Sequence, residues 1–333
     1  MKFGLMIANQ YLASESMGQK ISENLEQVRA AREAGFSLVC AGEHYLSSPY
    51  QMPTLFPLLA RISAEADGMR VASGVTLLPL HNPVELAETV ATMDSLCGGH
   101  FVFGVGLGYR EEEFEAFGIN KSDRVARFLE ALKIMKLLWT EEEVAYRGEF
   151  YNVPSTKSTC RTIQQPYPPI WIAANNDAAI IRAGTLGHTW YINPHVTLPT
   201  IERQLKLYKQ SLEISGNPEP MDLPIMREVY VDHSRAKAIT RCAPILSSKY
   251  QAYVGWGQDK ALPTDENFSE SFPDLMKDRF IIGSPSDLIN SMKEYKKKLG
   301  VNLIILRIQW PGMNHQDVIR QIRLLEHEVI PFV

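Results

Sequence analysis

Eight short apolar runs, each followed by an amphipathic stretch, predict an α/β chain folded as a single (β/α)8 barrel. Three observations carry this expectation. Strand and helix patterns alternate along the whole chain. The runs are apolar throughout rather than at every second residue, which suits parallel strands covered on both faces. No linker or composition break divides the 333 residues, as a doubly wound sheet with a second domain would require.

The first strand is expected over Phe3 to Ala8, ending in Asn9-Gln10, with a polar loop to Gln19. Ile21 to Ala34 has a helical stripe of Leu25, Val28 and Ala31 and stops at Gly35. Ser37 to Ala41 is the second strand, ending in Gly42-Glu43-His44-Tyr45, and Pro53 to Ala66 the second helix. Val71 to Val75 is the third strand. Pro83 opens the third helix, which Gly98-Gly99 stops. Phe101 to Val105 is the fourth strand and breaks into Gly106-Leu107-Gly108-Tyr109-Arg110. An acidic, aromatic connection, 111–120, leads to a helix over Asp123 to Trp139.

The alternation then pauses. Residues 143–153 read as a hairpin around Arg147-Gly148, and 154–168 have no regular period. The fifth strand, Ile170 to Ala174, ends in Asn175-Asn176-Asp177 before a helix from Ala178 to Leu186. Thr189 to Ile192 is the sixth strand, followed by a helix over Ile201 to Ile214. Pro224 to Val231 is the seventh strand, followed by a helix from near Arg235. Pro285 to Leu299 is a helix, Asn302 to Ile308 the eighth strand, and Gln316 to Val329 the last helix. One domain over 1–333 is expected, with insertions at 140–168 and 250–283. Such irregular insertions often act as lids.

Composition narrows the function. A net charge of −4 and a pI near 6.1 argue against a nucleic-acid partner. No apolar run is long enough to span a bilayer, and MKFGLMIA is short for a signal peptide. Cys40, Cys97, Cys160 and Cys242 are scattered and read as reduced thiols of a cytoplasmic protein. His44, His81 and His195 show no metal-binding spacing, so no metal is expected.

In a barrel of this class the site lies where the strands end. The polar strand ends are expected to converge on one mouth. Gly104-Val105-Gly106-Leu107-Gly108 lacks the GxGxxG spacing of a dinucleotide site. Gly106 and Gly108 can let main-chain N–H groups approach a phosphate, with Arg110 adding charge, or can simply turn the chain while Arg110 pairs with nearby glutamates. Asn175 or Asn176 can cap the following helix, whose free N–H groups favour an anion. His44 can exchange a proton near neutral pH or can be a packed residue.

Three stretches resemble the bacterial luciferase-like monooxygenase family. They are GVTLLPLHNPVELAETVATMDSLCGGHFVFGVGLGYREEEFEAFG at 74–118, EHY at 43–45, and EFYNVPSTKSTCRTIQQPYPPIWIAA at 149–174. The resemblance implies a TIM barrel that binds FMN or the deazaflavin F420 at its C-terminal mouth and, when reduced, uses O2 to oxidise an organic substrate. By position it implies His44 as catalytic histidine, Tyr109 and Arg110 on the phosphate loop, and Asn175, Asn176 and Asp177 on a second one. It implies a cis peptide at Gly74-Val75. The family's phosphate-loop arginine corresponds here to Leu107, and Arg110 is expected in its place.

An acidic F420 tail would want several basic residues. The mouth loops show Arg110 and little more, so FMN is expected. With no reductase domain in the chain, reduced flavin is expected from a separate partner, and a homodimer is expected. The other readings are an F420-dependent oxidoreductase and a flavin-binding barrel without oxygenase activity. Tyr45, Tyr191, Trp256 and Trp310 suggest an apolar or aromatic substrate pocket, and core packing explains them equally well.

Overall fold

The computed structural model describes residues 1–263 and 266–333. Eight parallel strands form its centre: β1 Lys2–Met6, β2 Leu38–Ala41, β3 Arg70–Ser73, β4 Phe101–Gly106, β5 Ile170–Ala173, β6 Thr189–Tyr191, β7 Pro224–Val231 and β8 Leu303–Arg307. They pair in the order β6-β5-β4-β3-β2-β1-β8-β7. The register places Gly4 beside Leu38, Val39 beside Val71, and Lys2 beside Leu303. At the two ends of this order, Ile192 N donates to Pro224 O (3.0 Å) and Met226 N donates to Ile192 O (2.8 Å). This is an α/β fold around a parallel sheet.

The strands have two buried faces, so their sequences run apolar without alternation. Leu38, Cys40, Leu303 and Ile305 belong to the inner cluster with Ala72, Trp171 and Tyr191. Their neighbours Val39, Ala41, Ile304 and Leu306 pack outward against the helices. Helix starts follow their caps. Ser16 caps Met17–Glu33, four residues earlier than the apolar stripe suggests. Asn82 caps Pro83–Leu96, and Ser284 with Asp287 forms a capping box on Pro285–Leu299. Gly300, at φ 70°, closes that last helix.

Several expected boundaries change. β3 ends at Ser73, and the following Gly74–Val75 peptide is cis, as the resemblance implied. The acidic connection contains a helix, Glu111–Ala116. The hairpin pairs Glu143–Arg147 with Asn152–Lys157, so it claims part of the stretch read as irregular. Residues 250–283 are less irregular than their composition suggests. The helix Arg235–Gly255 runs into them, Phe272–Met276 is helical, and Ile281–Gly283 pairs with β7 as an additional parallel strand. Residues 264 and 265 of that segment lie outside the described residues. Among the described residues, no helix is long and apolar enough to cross a membrane.

Candidate functional site

The strand ends surround a cavity of about 610 Å³. Its size lies within the range of small-molecule and cofactor sites. Asn9, His44, Gly106, Asn175, Asn193 and Arg307 reach it from six different strands or the loops after them. Parallel strands bring these segments together although they span some 300 positions of sequence.

One wall is a junction of glycines. A Cβ on Gly104 would lie 1.9 Å from Ser73 O, one on Gly106 2.8 Å from Val75 Cγ2, and one on Gly42 2.8 Å from Gly74 O. Only glycine lets these three backbones approach so closely. Gly74, Val75, Gly106 and Gly108 therefore form one surface of the cavity.

His44 borders this surface. Its ring sits 5.5 Å from the rings of both Tyr109 and Trp256. His44 Nδ1 lies 2.9 Å from Glu113 Oε1. A carboxylate only accepts, so the Nδ1 tautomer satisfies this bond and leaves Nε2 free of protein partners among the described residues. Glu113 is fully buried, and its Oε1 also accepts from Tyr45 N at 2.8 Å, with Arg110 Nη1 at 3.7 Å. The adjacent Glu43 faces elsewhere. Its Oε1 accepts from Leu77 N (2.6 Å) and meets His81 Nε2 at 2.8 Å. Burial disfavours the charged His81 ring, but the bond and charge of Glu43 outweigh it, so its pKa is raised.

Arg110 lines the cavity, yet its head group is occupied. Nη1 donates to Tyr45 O (2.6 Å), and Nη2 to Leu46 O (3.0 Å) and Glu112 (2.5 Å). The guanidinium also stacks on Trp256 at 4.5 Å. Arg110 Nε and the Tyr109 hydroxyl are buried without partners among the described residues.

The helix Asp177–Thr185 is capped by Asn176, whose Oδ1 accepts from Ala179 N at 3.0 Å. Asn175 instead accepts from Asn193 Nδ2 at 2.6 Å. Asp177 does not line the cavity: Arg203 binds its carboxylate at 2.6 and 3.1 Å. That bond is the main cause of its lowered pKa. A phosphate held here would meet the helix N–H groups and not the Asp177 side chain.

The cavity is more basic than its loops suggested. Lys121, Arg124, Lys260 and Arg307 line it besides Arg110. Lys121 pairs with Glu111 at 2.9 Å, whereas Arg124 donates to Lys121 O at 2.8 Å and has no carboxylate partner among the described residues. Sequence reading missed Arg124 because it opens a helix far from any strand end. It missed Glu113 because that residue sits in an acidic run that reads as a solvated face. Tyr253 and Trp256 come from the end of the long helix Arg235–Gly255 and the residue after it. Among the described residues, no cluster of His, Cys, Asp or Glu is arranged to hold a metal ion.

The luciferase-like monooxygenase family model matches residues 1–303. The oxygenase component of a flavin-dependent trigonelline monooxygenase from Acinetobacter baylyi is 23% identical, over 89% of this chain and 86% of that one. An F420-dependent glucose-6-phosphate dehydrogenase from Amycolatopsis mediterranei is 26% identical, over 92% and 93%. The solved oxygenating constituent of Pseudomonas putida 3,6-diketocamphane monooxygenase, a complex with FMN, superposes with a TM-score of 0.81. It is 17% identical, with 100% of this chain and 99% of that one covered.

Proposed function

The chain belongs to the luciferase-like monooxygenase family, and from that premise we propose that it is an FMN-dependent monooxygenase, the oxygenating component of a two-component system. A separate reductase would supply reduced FMN, and O2 would oxidise a small organic substrate. Neighbours that are flavin-dependent or bound to FMN support the choice of cofactor. We further propose that the sheet closes as a (β/α)8 barrel with insertions at 140–168 and 250–283, and that the protein is a cytoplasmic homodimer.

The observation that carries the reading is the His44–Glu113 pair at the edge of the glycine surface. The cavity suits a flavin on its own terms. Its volume is adequate, a glycine-rich wall with little side-chain bulk faces it, and the hydroxyl of Tyr109, another lining residue, is buried without a partner among the described residues. Gly74, Val75, Gly106 and Gly108 would hold the ring system. The N-terminus of Asp177–Thr185, after Asn175 and Asn176, would hold the phosphate together with Arg124.

A reduced flavin, when bound, supplies the electrons for oxygen chemistry. The protein's part is positional and protic. Glu113 fixes the His44 ring through Nδ1, so Nε2 is the atom that takes or gives a proton at the cavity. Tyr109 and Trp256 pack against the His44 ring and help hold its orientation.

A second reading is F420-dependent oxidation, favoured by Lys121, Arg124 and Lys260 at the cavity. Anaerobic titration with reduced FMN and reduced F420, then stopped-flow mixing with O2, separates the two. Tighter FMN binding and a reoxidation rate unlike that of free FMN are expected. Tighter F420 binding without a reaction with O2 overturns the monooxygenase reading, and no binding of either overturns both.

A further inference from the structure

Arg307, on β8, lines the cavity and is only 6% exposed. A buried guanidinium ordinarily has an anionic partner. This one does not. Nη1 donates to the Tyr253 hydroxyl at 3.1 Å and Nη2 to Gln10 Oε1 at 2.9 Å, both neutral groups. Nε has no partner, and no carboxylate lies within ion-pair reach among the described residues. An arginine carries five N–H donors, so donors remain.

The surroundings hold more positive than negative charge: Glu228, beside Arg307 in the strand register, attracts it but is not bonded to it. The buried carboxylate of Glu228 is taken by Lys249 and by Trp310 Nε1. Arg227, fully buried, donates to the Tyr295 hydroxyl and Asn193 O, each at 3.0 Å, and to Met226 O at 3.5 Å, all neutral groups. Arg279 is matched by Glu266 at 2.7 Å. His195 also lines the cavity, and its Nδ1 is buried without a partner. Its ring is held between Tyr253 at 5.9 Å and Phe268 at 5.7 Å. Burial first, and then the surrounding cations, hold its pKa well below the ordinary value, so the ring is neutral.

We propose that this end of the cavity receives a carboxylate of the substrate, with Arg307 as its cation and His195 as a further hydrogen-bond partner. The inference deepens the monooxygenase reading and rests on its assignment of the cavity. One guanidinium with donors to spare and one neutral imidazole suit a monoanion, whereas a phosphate dianion would ask for more donors. Tyr191 and Tyr253 beside them fit an aromatic or apolar body behind the carboxylate.

Calorimetric titration with benzoate, benzamide and phenyl phosphate, with and without FMN, tests this. Benzoate is expected to bind at least ~10-fold more tightly than benzamide, the scale of one charge-assisted hydrogen bond. Arg307→Gln should abolish that preference and leave FMN affinity within a few fold. Arg307→Lys should retain a weaker preference. Equal binding of benzoate and benzamide by the wild type, or binding of neither, overturns the inference whether or not the variants fold. Phenyl phosphate binding more tightly than benzoate overturns the carboxylate. Loss of FMN with the benzoate preference kept assigns Arg307 to the flavin and overturns it too. If FMN fails to bind the wild type while benzoate is still preferred, the monooxygenase reading fails and the anion subsite stands.

Discussion

Glu113→Gln removes a charge and almost nothing else. The wild-type carboxylate is fully buried and receives two short bonds, from His44 Nδ1 at 2.9 Å and Tyr45 N at 2.8 Å. A hydrogen bond to a charged group contributes about 1.5–3 kcal/mol, against about 0.5–1.5 kcal/mol for a neutral one. Two such bonds therefore lose about 2 kcal/mol together, and Arg110 at 3.7 Å loses a weaker attraction. Urea denaturation should show this as a lower midpoint with an unchanged slope. A cycle with His44→Ala should give a coupling energy of about 0.5–3 kcal/mol, because the two residues share one bond. In the proposed reaction, His44→Ala should lower product formation by roughly 10²–10⁴-fold. Glu113→Gln should lower product less and raise the hydrogen peroxide released per O2 consumed. Strict additivity of the two substitutions in denaturation, with wild-type product yield in Glu113→Gln, would refute the pairing as a functional device.

Arg124→Ala should weaken FMN by about 10–100-fold and leave riboflavin unchanged, since a charge-assisted bond to phosphate contributes about 1.5–3 kcal/mol; equal losses in fluorescence titrations would show that Arg124 does not meet the phosphate. Arg110→Ala should weaken both ligands alike, because its donors already hold Tyr45 and Leu46. Gly106→Ala should destabilise the protein by about 1–3 kcal/mol through its contact with Val75, while Gly18→Ala, with nothing within 4 Å, should be neutral or slightly stabilising in thermal melts. Burial pushes His188 down to about 3, with Lys136 adding to it. The unfolded chain then binds more protons between the ordinary 6.5 and about 3, so stability falls as pH drops through that window, by up to about 5 kcal/mol. His188→Leu should lose less stability there in urea titrations at stepped pH. Amide exchange in 256–262 and 266–280 should slow when FMN is added; equal exchange with and without ligand would remove these residues from any lid role.

The order of strands and helices was legible because it depends on local signals. Apolar runs, glycine stops and capping residues each act within a few positions. The strand Ile281–Gly283 was not legible. It has only three residues, and the partner that makes it a strand is the far half of β7, about 50 positions earlier. Boundaries moved for a similar reason. Ser16 starts a helix through one side-chain bond to Gln19 N, and a hydrophobic stripe contains no trace of that bond.

Partnerships within the site were even less legible, and histidine and glutamate show why. Glu43 and His44 are adjacent, and a sequence invites pairing them. Neighbouring extended residues point to opposite sides, so each finds a partner elsewhere. Glu43 turns to Leu77 N and His81, fastening the loop after β3. His44 turns to Glu113, 69 residues on, from a helix of six residues in a run of four acids among five positions. Three of those acids serve the surface, and the phase of one helical turn selects the fourth for burial. The same geometry redirects Arg110. With Glu113 and the carbonyls of Tyr45 and Leu46 already beside it, its guanidinium locks the loop that carries His44. A charge that sequence position assigns to a ligand is thus used to hold the loop of the proposed catalytic residue, and Arg124, without a carboxylate partner among the described residues, is the cation proposed to meet the phosphate.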